Sequence, residues 1–177
     1  MKKIMFNDRY GLTQAVLDGR KTMTRRIVPD GTPLGNWEET VKKSRYKVGE
    51  IVAVAQSYHE LNKSGYVAPR WCEHTCESSA GYKNKMFVRA DLMPHRIRIT
   101  NIKVERLQDI SDEDCLKEGI YNWPDGDTWT YGNSWYVFAT PQEAFAEMID
   151  KVHCKGTWNI NPHVFVYEFE LLKGGEQ

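Results

Sequence analysis

Apolar and polar positions change period several times along the chain, and each change marks an element. Leu12, Ala15, Val16 and Gly19 fall at i, i+3, i+4 and i+7, which predicts a short amphipathic helix with Gly19 just past its end. The segment holding Pro29, Gly31, Pro33 and Gly35 is loop, and Lys47-Val48-Gly49-Glu50 reads as a turn into a strand over Ile51 to Gln56. From Met86 the β signal returns. Ile97 and Ile99 alternate with Arg96 and Arg98, whereas Ile102 and Val104 keep period two on the opposite parity, so a bulge or bend is expected at Thr100 and Asn101.

Two helices follow, each announced by its first residues. Ser111 with Asp114 is an N-cap pair opening a helix that ends at Gly119. Thr140-Pro141 with Glu143 is a capping box with proline at the first helical position, and that helix would bury Ala144, Phe145, Met148, Ile149 and Val152. His163 to Leu171 is a strand that puts Phe165, Tyr167, Phe169 and Leu171 on one face. Strands dominate without a strand-helix-strand rhythm, so the fold class is α+β with a small, mostly antiparallel, barrel-like sheet. The polar, irregular stretch Ser57 to Lys85 reads as a functional segment or an insertion in a chain whose length fits one domain.

Composition changes this picture little. With 41% hydrophobic, 27% charged and 12% aromatic residues the chain is expected to fold alone, as a soluble protein. The longest apolar run, Ile51 to Ala55, is far short of a membrane span, and no secretory leader opens the sequence, so a cytoplasmic location and no membrane partner are expected. Four irregularly spaced cysteines (Cys72, Cys76, Cys115, Cys154) then read as thiols.

Charge changes it more. The net charge is zero, but up to Arg106 there are 20 Lys and Arg against 11 Asp and Glu, and after it 4 against 13. Either the basic part faces an anionic partner or the two parts pair inside the fold. The densest basic stretch is GRKTMTRR, Gly19 to Arg26, directly after the first helix. Arg20 and Lys21 there suit a helix C-terminus. Lys21 and Thr24 can converge if the backbone turns between them. A threonine hydroxyl becomes a nucleophile when a base takes its proton, and a lysine is such a base only where burial or neighbouring cations depress its pKa. Arg20, Arg25 and Arg26 are candidate neighbours of that kind. A carboxylate would also be needed, and local sequence does not say which.

Cys72, His74 and Cys76 would point one way from an extended segment, and His153-Cys154 could complete a tetrahedral zinc site, although the spacing is not a usual zinc signature. Unligated loop residues are the preferred assignment, so no metal and no cofactor is expected. Most of the six tryptophans should pack inside, Trp37 and Trp71 being the exceptions to expect.

The order of these features, a short helix ending in GRKTMTRR, KVGE leading into IVAVA, IRITNIKVERLQDIS before a helix ending EGI, and a closing VFVYEFE, resembles the longer phage and bacterial type of ASCH domain. The resemblance covers nearly the whole chain, and implies a single domain over 1–177 in which the stretches at about 57–85 and 122–139 are insertions. It implies a PUA-like β-barrel and two functions. One is binding of RNA, a nucleotide or a modified nucleoside in a basic cleft, for which Arg20, Thr22, Arg25 and Arg26 are the candidate contacts. The other is a metal-independent amidohydrolase that deacylates N4-acetylcytidine, with Lys21, Thr24 and Glu118 matching that activity's lysine, threonine and glutamate. A phage-associated interaction protein without catalysis is the third possibility. Arg25, directly after the second threonine, departs from the small enzymes.

Overall fold

The computed structural model describes residues 1–66, 77–124 and 126–172. In chain order the elements are β1 (Lys3–Ile4), α1 (Leu12–Leu17), β2 (Met23–Ile27), α2 (Trp37–Lys42), β3 (Ile51–Val54), α3 (Tyr58–Lys63), β4 (Arg96–Arg106), α4 (Asp112–Lys117), β5 (Ile120–Asn122), β6 (Trp129–Tyr131), α5 (Pro141–Val152), α6 (Thr157–Ile160) and β7 (His163–Leu172). The class is α+β. Five strands form one sheet in the order β1-β3-β4-β7-β2, antiparallel except for the parallel pair β1 and β3, and β5 with β6 makes a separate hairpin.

β4 and β7 are the spine, paired from Arg96 opposite Leu172 to Arg106 opposite His163. The register shifts between Ile99 and Asn101, leaving Thr100 as the extra residue. That bulge turns Ile97, Ile99 and Ile102 all into the core despite their change of parity. β7 departs from simple alternation. Val164 to Tyr167 are buried on both faces, because the middle of the sheet is covered on both sides.

The sheet curls but does not close. β1 and β2 are its outer strands and are not paired with each other among the described residues, so the expected closed barrel is corrected to an open, curled sheet. Lys3 and Met5 on one side and Arg26 and Ile27 on the other instead flank a pocket, and an Arg26 Nη2 donates to the Met5 carbonyl at 2.5 Å across it.

Local chemistry explains the helices. α1 ends where expected, with Gly19 at φ +74°. Ser111 caps α4 through the Asp114 amide, Thr140 caps α5 through the Glu143 amide, and α5 buries Ala144, Phe145, Met148 and Ile149, with Val152 half-buried. Ser57 to Lys85 is not irregular at its start. Ser57 and Glu60 form a capping box for α3, whose Tyr58 and Leu61 join Ala53, Val88, Leu92 and Met93 in a second small core. The residues after Met86 form 3₁₀ turns, Lys85–Phe87 and Ala90–Leu92, so strand structure resumes only at Arg96. Among the described residues no helix is long and apolar enough to cross a membrane.

Candidate functional site

α1 delivers the chain into the site. Past Gly19, the Lys21 amide donates to the Ala15 carbonyl and the Thr22 amide to Lys117, so this segment is tied to α1 and to the end of α4 before β2 begins. Lys21 thereby points at the C-terminus of α4, where its Nζ donates to the Glu118 carbonyl at 2.8 Å and to Glu118 Oε2 at 2.5 Å. A cation at exposed helix-end carbonyls is favourable, and it offsets the unfavourable position of a carboxylate there. Both side chains are almost wholly buried, 1% and 4% exposed.

Thr24 is the second residue of β2 and is buried. It lines one small cavity together with Lys21, Glu118, Arg26, Phe6 and Met148. Its hydroxyl makes no hydrogen bond to the protein among the described residues. The cavity measures about 30 Å³, room for roughly one water molecule. Burial pulls the Lys21 ammonium below the ordinary lysine range, against the opposite pull of Glu118, and Arg26 and Arg25 add to the lowering. The three residues singled out by their resemblance to an amidohydrolase site are therefore together, around an unpaired hydroxyl.

The other cations of the basic stretch divide. Arg25 has no exposed side-chain surface. Its guanidinium reaches Glu105 at 2.6 Å, Asp114 at 2.9 Å and Glu118 at 3.2 Å. Arg25 is thus no ligand contact but the centre of a buried carboxylate cluster, and here the basic and acidic parts of the chain pair internally. Burial would lower its pKa, but Glu118, Glu105 and Asp114 outweigh that and raise it. Arg20 is exposed, pairs with Asp18 at 3.0 Å and lies over the Tyr121 ring; neither it nor Thr22 lines the cavity.

Arg26 lines both this cavity and the larger pocket at the open seam of the sheet. That pocket, about 310 Å³, is bordered by Arg26, Lys43, Arg45, Tyr46, Phe165 and Tyr167, with Lys3, Met5, Ile27 and Pro29. Arg26, Lys43 and Arg45 have no carboxylate within ion-pair distance among the described residues. Lys3 differs, since its Nζ donates to the Met86 and Val88 carbonyls. Lys43 and Arg45 went unrecognised in the sequence because a basic loop ordinarily means only solvent exposure.

Cys72, His74 and Cys76, with Trp71, lie outside the described residues. His153 and Cys154 are exposed, and the described residues hold no group of three metal-ligating side chains. Trp37 is half-exposed as expected, but Trp135, at 87%, is more so.

The sequence matches no family model and no curated protein. Two of the solved structures similar to the chain are as follows. A protein of Enterococcus faecalis V583 described under the family DUF984 is 13% identical, with a TM-score of 0.43, covering 91% of this chain and 66% of its own. An ASCH domain from Lactobacillus crispatus JV V101 is 12% identical, with a TM-score of 0.40, covering 90% and 69%.

Proposed function

We propose that the protein binds a nucleotide unit, free or within RNA, in the pocket between β1 and β2. One observation carries this. Arg26, Lys43 and Arg45 converge there without internal carboxylate partners, beside the rings of Tyr46, Phe165 and Tyr167. Unpaired cations attract phosphate oxygens, and the packed rings give the pocket an apolar wall for the rest of the ligand. The volume is in the range of small-ligand sites. The resemblance of the motif order to ASCH domains agrees with it. The test is fluorescence anisotropy of a short single-stranded RNA over a range of salt. Binding that weakens steeply with salt is expected, because phosphate contacts release counterions; salt-independent binding, or none below millimolar, would refute the proposal.

A second activity, hydrolysis of an N4-acylated cytidine, is favoured by the convergence of Lys21, Thr24 and Glu118. In this mechanism neutral Lys21 takes the Thr24 hydroxyl proton as Thr24 Oγ1 bonds to the acyl carbon. The carbon–nitrogen bond then breaks and the amine departs with that proton, passed on from Lys21 or through Glu118 Oε2. Water hydrolyses the threonine ester that remains. A cavity for one water does not admit a base, so this chemistry also requires the lining to open. Acetate release from N4-acetylcytidine, followed by NMR for wild type and Thr24→Ala, decides: turnover by wild type alone supports it, and no turnover by either removes it.

A further inference from the structure

We propose that Arg25 is a positioning residue which, by holding Glu118 through its other carboxylate oxygen, makes Lys21 the member of the buried cluster that gives up its proton. The inference deepens the acyl-transfer reading, which needs a neutral lysine beside Thr24, but it is tested without substrate.

The geometry is a chain of shared oxygens. Glu118 presents Oε2 to Lys21 at 2.5 Å and Oε1 to Arg25 at 3.2 Å. On the far side, Arg25 meets Glu105 and Asp114, and both are also engaged by Lys103, at 2.9 and 3.3 Å, from the solvent edge. Lys117 adds a further exposed cation, 3.5 Å from Asp114.

Burial favours the neutral amine and Glu118 favours the ammonium, so the charges around the pair decide how readily the proton leaves. Here the pair is not alone. The groups facing Lys21 are Glu118 at the end of α4 and Thr24, Arg25 and Arg26 from β2; α5 contributes only Met148, Ile149 and Val152, and the segment before α1 contributes Phe6 and Asn7. With Lys21 protonated, five cations (Lys21, Arg25, Arg26, Lys103, Lys117) surround three carboxylates (Glu105, Asp114, Glu118). Loss of one proton from Lys21 cuts the excess of positive charge from two to one. A guanidinium does not release a proton near neutrality, so the adjustable group is the lysine.

Without Arg25 the excess would be one with Lys21 charged, and the amine would keep its proton more readily. Arg25 thus does two things through Glu118. It fixes the carboxylate with Oε2 toward Lys21, and it competes for the negative charge that would otherwise hold the ammonium.

The experiment is an NMR titration of the lysine side-chain Cε and Nζ signals, with Lys21→Met to assign Lys21. In wild type Lys21 should titrate below the exposed lysines. Arg25→Gln should raise its midpoint by about 1–3 pH units, and Arg25→Lys, which restores a charge, should bring it back down. Glu105→Gln leaves Arg25 in place and removes a carboxylate behind it, so it should lower the midpoint further and decides the matter if Arg25→Gln does not fold. A wild-type Lys21 that titrates with the exposed lysines overturns the proposal, as does a midpoint indifferent to these substitutions. Absence of deacylase activity would overturn the catalytic reading while leaving the titration to stand or fall by itself.

Discussion

Lys21 donates twice to Glu118, to the carboxylate at 2.5 Å and to the backbone carbonyl at 2.8 Å, joining positions 97 residues apart inside the fold. The contact is at once the end cap of α4, the anchor of the segment leading into β2, and half of a candidate catalytic pair. Substitutions there therefore act on stability as well as on chemistry.

Glu118→Ala should cost about 3–5 kcal/mol, because it strands two buried cations, Lys21 and Arg25, without their shared partner. Glu118→Gln, which keeps an acceptor, should cost less. Urea denaturation of the three proteins checks this, and a Glu118→Ala midpoint equal to that of wild type would contradict it.

Lys21 gives its proton up more readily folded than unfolded, since burial lowers its pKa. Between its folded pKa and the unfolded value of about 10.4 the unfolded chain holds a proton that the folded chain has released, so raising the pH through that window stabilises the fold. Wild type should accordingly gain stability relative to Lys21→Met as the pH rises through that window. Denaturant melts of both proteins at stepped pH measure the difference, and a constant gap would exclude the effect.

Arg45→Ala and Lys43→Ala are expected to weaken RNA binding and to flatten its salt dependence, each by about 0.7 in the slope of log K against log salt for one lost phosphate contact. Arg20→Ala, outside the pocket, should leave the slope unchanged. Anisotropy titrations at several salt concentrations read all three.

Deleting Thr100 removes the extra residue between Ile99 and Asn101. One arm of β4 must then present its alternate face, turning Ile97 and Ile99, or Ile102, out of the core. Loss of the cooperative unfolding transition by circular dichroism is the expected result; a sharp transition at the wild-type midpoint would show that the register is not fixed there.

What was legible in the sequence was local. The parity change around Thr100, the caps at Ser111 and Thr140, and Gly19 after α1 each depend on residues a few positions apart. α2 and α3 were legible too, but missed. Asn36 accepts from the Glu38 and Glu39 amides, and Ser57 with Glu60 is a capping box, yet the surrounding polar residues disguised both. The stretch after Met86 misled in the other direction, because Val88 and Leu92 are buried by 3₁₀ turns against α3 and not by a strand. The role of Arg25 was out of reach of local reading. Its three carboxylates lie 80, 89 and 93 residues further on, and only the pairing of β2, β4 and β7 brings the cluster together.

The unclosed seam between β1 and β2 has a bearing on solubility. An outer strand offers unpaired backbone groups on which a neighbouring molecule can add its own strand, and proteins discourage this with very short or charged edges. β1 is only two residues long, and of the two arginines in β2 Arg26 borders the seam while Arg25 is buried. The same Arg26 that lines the pocket thereby acts as a gatekeeper against aggregation. Arg26→Val should both empty the pocket of a cation and leave the protein prone to self-association on concentration, which light scattering would register.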